Sequence, residues 1–169
     1  MRLLLPLLAA GLVTAASAQP ESNWYPTTVD AISVSLPGSF RYTPATEPEP
    51  GMRLQLFMDA DSDRMVVVTT NRSLSWLQRW RFKRGRGVPG SNDGATYERV
   101  AAPALHPTLA PSVGSAFRAV GTRDDERAGT LVRGCRGDLC FEITVVGPVL
   151  DTSAEATPHA DLLAGIRLL

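Results

Sequence analysis

The chain has little of what enzymes and metalloproteins are usually built from. Its 169 residues include only two cysteines and two histidines. A structural metal site takes three or four ligands at short spacing. His106 and His159 lie far from each other and from both cysteines, so no metal or cofactor is expected. Four residues separate Cys135 from Cys140, which excludes the two-residue spacing of a redox motif. The segment "SVGSA" (112–116) lacks the spacing of a serine-nucleophile elbow, and "KRGRGVPGSNDG" lacks that of a phosphate loop. Net charge is missing as well. Seventeen acidic residues balance 17 basic ones, whereas a general nucleic-acid binder carries a basic excess. No nucleic-acid partner is expected.

Long apolar runs are absent too. A membrane span needs about 20 apolar residues, and the N-terminal run from Leu3 to Val13 is shorter. It follows Arg2 and precedes the small residues Ala16-Ser17-Ala18. That order reads as a secretory signal peptide, residues 1–18. The mature chain, residues 19–169, is expected to be periplasmic or extracellular, with no transmembrane segment. Its length and its 44% hydrophobic content suit one globular domain.

Export changes what two cysteines mean. In an oxidising compartment they are expected to pair. Their flanks, "GTLVRGC" and "CFEITVVG", are rich in β-branched and aromatic residues, and Gly137-Asp138 suits a two-residue hairpin turn. Cys135 then faces Cys140 at a non-hydrogen-bonded pair, where Cα atoms lie about 4.5 Å apart. The expectation is a structural disulfide that fixes the hairpin's register. The same turn displays Arg136-Gly137-Asp138, so adhesion is a third functional reading.

Strands are read in "AISVSLPGSFRY" and "MRLQLFM", which alternate, in "RMVVVTTN", a continuous β-branched run as in a strand covered on both faces, and in "SAFRAVGT", "RAGTLVRGC" and "CFEITVVGP". The last three form an antiparallel meander. The proline-rich segments 43–51 and 101–111 read as extended surface loops. In "RSLSWLQRWRF", Trp76, Leu77 and Trp80 suit a helix capped at Ser73 or Ser75, while Leu74, Trp76, Trp80 and Phe82 also suit a partly alternating strand; the helix is the reading taken. A second helix is expected from about Thr157, with Leu162, Leu163 and Ile166 on its apolar side and Gly165 at its end. A sheet with helices at its sides is an α+β design.

The order of these pieces resembles the PsbP-like fold superfamily. The resemblance rests on the opening "ISVSLPGSF", the strand pair "MRLQLFMDADSDRMVVVTTNR", the meander, and the closing "ADLLAGIRLL". It implies an α/β/α sandwich around an antiparallel sheet, and an accessory or binding role more than an enzymatic one. The cysteine hairpin is not part of that pattern.

Two segments invite a chemical reading. Asp59, Asp61 and Asp63 begin like a calcium loop, but Arg64 stands where glycine is needed and Thr70 where a glutamate is needed. A hairpin turn is expected there instead. The segment from residue 72 to 86 carries Arg72, Arg79, Arg81, Lys83, Arg84 and Arg86 with no acidic residue, interleaved with Trp76, Trp80 and Phe82. Guanidinium forks suit phosphate and carboxylate, and tryptophan suits an apolar–polar boundary. The leading reading is therefore a non-enzymatic exported binding domain. Its expected partner is an anionic envelope component or an acidic protein surface. The alternative is a small envelope hydrolase with an unadvertised site.

Overall fold

A computed structural model describes residues 27–86, 95–121, 127–149 and 157–169. The expected signal peptide lies outside the described residues; so do Asp151 to Ser153, which the sequence also offers as capping residues ahead of the closing segment. Two antiparallel sheets dominate. Strands β1 (Thr27–Val29), β2 (Ile32–Val34) and β10 (Ile166–Leu168) form a three-stranded sheet in the order β1-β2-β10. Strands β3 (Arg41–Tyr42), β4 (Met52–Asp59), β5 (Arg64–Asn71), β6 (Ala95–Val100), β7 (Val113–Gly121), β8 (Arg127–Arg136) and β9 (Leu139–Pro148) form the second sheet. Its order is β3-β4-β5-β9-β8-β7-β6. One α-helix, α1 (Trp76–Lys83), and two 3-10 turns, Ala110–Ser112 and Ala160–Gly165, are present among the described residues.

The core lies between the sheets. Phe57, Val66, Val68, Val132, Phe141, Ile143 and Val145 share one face of the large sheet, because directly paired residues point the same way. They form one buried cluster with Ile32 and Val34 of β2, Ile166 and Leu168 of β10, and Leu162 and Leu163 of the closing turn. The opposite face carries Met52, Leu54, Leu56 and Met58 of β4. Polar Gln55 and Asp59 turn inward with Phe57. Gln55 Nε2 donates to the Thr43 carbonyl at 2.9 Å.

Neither the expected α+β sheet with helices at its sides nor the α/β/α sandwich is what forms: the described residues are mainly antiparallel sheet, and the helical layers implied by the family resemblance are absent among them. One face of the large sheet is covered by a smaller sheet. On the other face, among the described residues, α1 packs against β7, β8 and β9. The helix expected from Thr157 is replaced by the 3-10 turn and β10. A short helix gains little from its own hydrogen bonds. Strand pairing instead buries Ile166 opposite Val34 and Leu168 opposite Ile32. Gly165 makes this closure possible. Its carbonyl accepts the Ser35 N–H at 2.9 Å, and a Cβ there would stand 1.9 Å from the Ser35 oxygen.

The cysteine hairpin has the expected register. Cys135 pairs with Cys140 and Arg136 with Leu139 around Gly137-Asp138, and the cysteines form a disulfide with Cα atoms 4.0 Å apart. Gly137 takes the left-handed φ of 62° that the turn requires. Mass spectrometry of non-reduced protein is expected to find no alkylatable thiol; two would contradict the pairing. Reduction should cost less than the roughly 3 kcal/mol of a 15-residue loop, because this loop is shorter.

Candidate functional site

Helix α1 is held firmly at both ends. Ser75 caps it: its hydroxyl accepts the Gln78 N–H at 3.4 Å, and the Gln78 side chain accepts the Ser75 N–H at 2.7 Å. This reciprocal pair satisfies two donors that the helix itself cannot. Just upstream, Asn71 Oδ1 accepts from both the N–H and the hydroxyl of Ser73 at 2.8 Å. At the C-terminus, Gly85 N–H reaches the Phe82 carbonyl and Arg86 N–H reaches the Arg81 carbonyl, a Schellman closure. Gly85 has φ 71° there, and a Cβ would meet the Phe117 ring at 2.3 Å. Arg99 from β6 then ties the closure to β7, donating to the Arg84 carbonyl at 3.1 Å and the Gly114 carbonyl at 3.4 Å.

The helix divides its side chains between sheet and solvent. Phe82 is half-buried, with the Arg133 guanidinium over its ring, 4.7 Å from the centroid. Arg133 is buried on β8 and donates through Nε to Glu142, its cross-strand neighbour on β9. Arg79 also turns inward and donates to the Leu74 carbonyl at 3.0 Å, while its own carbonyl lies 3.8 Å from Cys135 Sγ. The Lys83 stem lies against Gly114. On the outer side, Trp76 is 73% exposed, Leu77 40% and Trp80 41%. Arg81, Arg84 and Arg86 are exposed beside them. The Arg84 guanidinium stands 4.4 Å from the Trp80 ring centroid and that of Arg86 5.7 Å.

The eight partner-binding residues predicted from sequence thus separate. Trp76, Trp80, Arg81, Arg84 and Arg86 share one solvent surface. Arg72 is exposed but paired with Asp138 at 3.1 Å, Arg79 faces the sheet, and Lys83 is half-buried. Leu77, which joins the surface, and Arg99, which braces it, were missed. The Gly85 after a run of basic residues was the available sign of a helix end. No acidic residue occurs from 64 to 92, so the surface has no internal neutralisation from its own segment.

The other candidates resolve differently. The Arg136-Gly137-Asp138 arms are already engaged, Arg136 with the Leu169 carbonyl and Asp138 with Arg72. The Asp59–Asp63 segment is a hairpin turn. Asp59 accepts the Ser62 hydroxyl and the Asp61 N–H, and Asp63 pairs with Arg127. An open cleft of about 710 Å³ lies beside this turn, lined by Ser62, Arg64, Pro148, Thr157, His159 and Asp161 among others. Its charges satisfy one another: Arg64 reaches Ser62 at 2.9 Å, Asp161 at 3.3 Å and Asp59 at 3.8 Å. His159 Nε2 is 2.9 Å from the Pro148 carbonyl, and His106 Nδ1 is bound by Thr108. The Ser62 proton goes to Asp59. Among the described residues, neither histidine makes the bond to a serine that a hydrolase would use.

The Ser62 hydroxyl holds the Asp59 carboxyl below its ordinary value of 3.8; burial opposes this, and Ser39 and the Asp61 and Ser62 N–H groups reinforce it. A folded pKa below the unfolded one gives stability that is complete above 3.8 and is lost as pH falls through the folded value. Asp59→Asn is expected to flatten that acid limb. An acid-unfolding curve identical in shape to the wild type would contradict this.

No protein-family model and no curated protein matches the sequence. A crystal structure from Bacteroides thetaiotaomicron VPI-5482, determined at 1.50 Å, is similar over 82% of this chain, with 14% identity and a TM-score of 0.44. This chain spans 45% of that one.

Proposed function

We propose that the protein is an exported, non-enzymatic binding domain that engages an anionic envelope component through the outer surface of α1. One observation carries the reading. Trp76, Leu77 and Trp80 stand in solvent on a helix that is capped, closed and braced, beside three arginines without an acidic neighbour in the segment. Apolar side chains clustered in solvent on one side of an anchored helix suit an interaction surface. Guanidiniums fixed beside them supply recognition of phosphate or carboxylate. The signal peptide read in residues 1–18 and the disulfide both suit an oxidising compartment outside the cytoplasm. No helix among the described residues is long and apolar enough to cross a membrane.

Binding to immobilised dextran sulfate tests the reading. Retention is expected at 0.1 M salt and lost near 1 M, since the Debye length shrinks from about 10 Å to about 3 Å. Arg81→Ser/Arg84→Ser/Arg86→Ser should release the protein at much lower salt without unfolding it. A triple variant retained like the wild type would sink the proposal.

A further inference from the structure

We infer that the anionic component is the phosphate layer of a lipid bilayer, and that Trp76, Leu77 and Trp80 enter its interface. The inference rests on the proposed binding role and names the partner of that same surface. The surface is the convex outer side of a helix, whose exposed apolar groups follow one another at positions 76, 77 and 80. A protein partner would have to supply a groove shaped to that ridge. A bilayer surface is deformable and needs no such complement. Charge alone would hold an acidic polysaccharide on the arginines, but stacking of sugars would use bare indole faces, and of the two rings only the exposed Trp76 offers one. The Trp80 ring instead carries Arg84 at 4.4 Å and Arg86 at 5.7 Å.

That arrangement matches the layering of a membrane interface. Indole rings settle at the boundary between headgroup and acyl chain, and guanidiniums stay with the phosphates above it. Here the guanidiniums sit directly on an indole, so both groups reach the boundary together. The helix termini are already satisfied by Ser75, Gln78 and the Gly85 closure, so little ordering is left to pay for at the surface. The apolar area is small and α1 spans eight residues, which points to reversible, charge-dependent attachment and not to permanent anchoring.

The test uses the mature chain with vesicles of phosphatidylglycerol mixed with phosphatidylethanolamine, and with phosphatidylcholine vesicles as the neutral control. Binding to the anionic vesicles is expected, with a blue shift of tryptophan emission and quenching by brominated acyl chains. Quenching should vanish in Trp76→Phe/Trp80→Phe, a pair of exposed positions whose replacement leaves the core untouched. Each arginine near an anionic surface is worth roughly a fivefold change in affinity, so Arg81→Ser/Arg84→Ser/Arg86→Ser should lose roughly a hundredfold. Anionic-vesicle binding without quenching would overturn insertion. Retention on dextran sulfate with no vesicle binding would overturn the lipid assignment and leave the anion-binding role standing. Loss of both would overturn both.

Discussion

Phe141→Ala is expected to destabilise the protein by about 3–5 kcal/mol, whereas Trp76→Ala should leave its stability nearly unchanged. The phenylalanine is the smaller ring, so size does not decide the outcome. Phe141 is 1% exposed and lies in the core between the two sheets. Its removal takes away buried apolar surface and leaves a cavity that a paired β9 cannot close. It also faces Gly134, where the ring fills the space a Cβ would otherwise take at 2.4 Å. Trp76 touches little that folding has withdrawn from water. Trp80 stands between the two cases: Trp80→Ala loses the stacking of Arg84 and Arg86, about 0.5–1 kcal/mol at an exposed site. At roughly 2–4 °C per kcal/mol for a domain of this size, Phe141→Ala should lower the melting temperature by roughly ten degrees. Thermal denaturation of the variants checks the ordering. If Trp76→Ala melted as low as Phe141→Ala, α1 would be part of the core and the exposed surface described here would not exist.

The second large effect is at Glu142. Removing its carboxylate by Glu142→Ala leaves the Arg133 guanidinium buried on β8 without its charged partner. Arg133 Nη1 already has no hydrogen-bond partner among the described residues. Breaking a buried pair from one side costs about 3–5 kcal/mol; the partial exposure of Glu142 places this one near the lower end. The loss should also loosen α1, because Arg133 stacks on Phe82 and so joins the helix to the sheet. Replacing both partners by apolar residues, as in Arg133→Met/Glu142→Leu, should be close to neutral, since no unpaired charge is left. Chemical denaturation of the single and double variants separates the possibilities. A double variant as unstable as Glu142→Ala would mean that packing, and not the uncompensated charge, sets the cost.

The central strands were legible because their alternation is dense. β5 and β9 alternate between buried and half-buried positions, β8 is buried along both sides, and their β-branched residues say so locally. Helix α1 was legible from Ser75 and the spacing of Trp76 and Trp80. The disulfide register followed from a two-residue turn between strand-like flanks. What escaped depends on partners distant in sequence. β4 buries Gln55, Phe57 and Asp59 in preference to Leu54, Leu56 and Met58. That choice needs the Thr43 carbonyl, 12 residues away, for Gln55; Asp59 is held locally by Ser62 in the following turn. β6 was missed because Glu98 and Arg99 break its apolar alternation. The closing helix was misread because Leu162, Leu163 and Ile166 suit either periodicity. Their pairing with β2 is non-local, and the close approach of Gly165 to Ser35 cannot be read from a single residue.

The basic-aromatic surface was visible as composition before it was visible as geometry. A run of arginines without acids, interleaved with tryptophan, identified the segment. It did not separate Arg79, which donates to Leu74, from Arg81, Arg84 and Arg86, which remain in solvent. That division follows from the direction in which α1 meets β8 and β9. Arg72 was removed from the surface by Asp138, a residue 66 positions away.

Hydrogen–deuterium exchange of the mature protein, alone and bound to envelope membranes, tests the central claim most directly. The amides of α1 exchange only when its hydrogen bonds open, and a partner seated on the helix suppresses that opening, so their exchange should slow on binding. Protection confined to peptides covering residues 74–86 is the predicted result. Protection at 59–64 and 157–161, with 74–86 unchanged, would place the contact at the cleft and contradict the account.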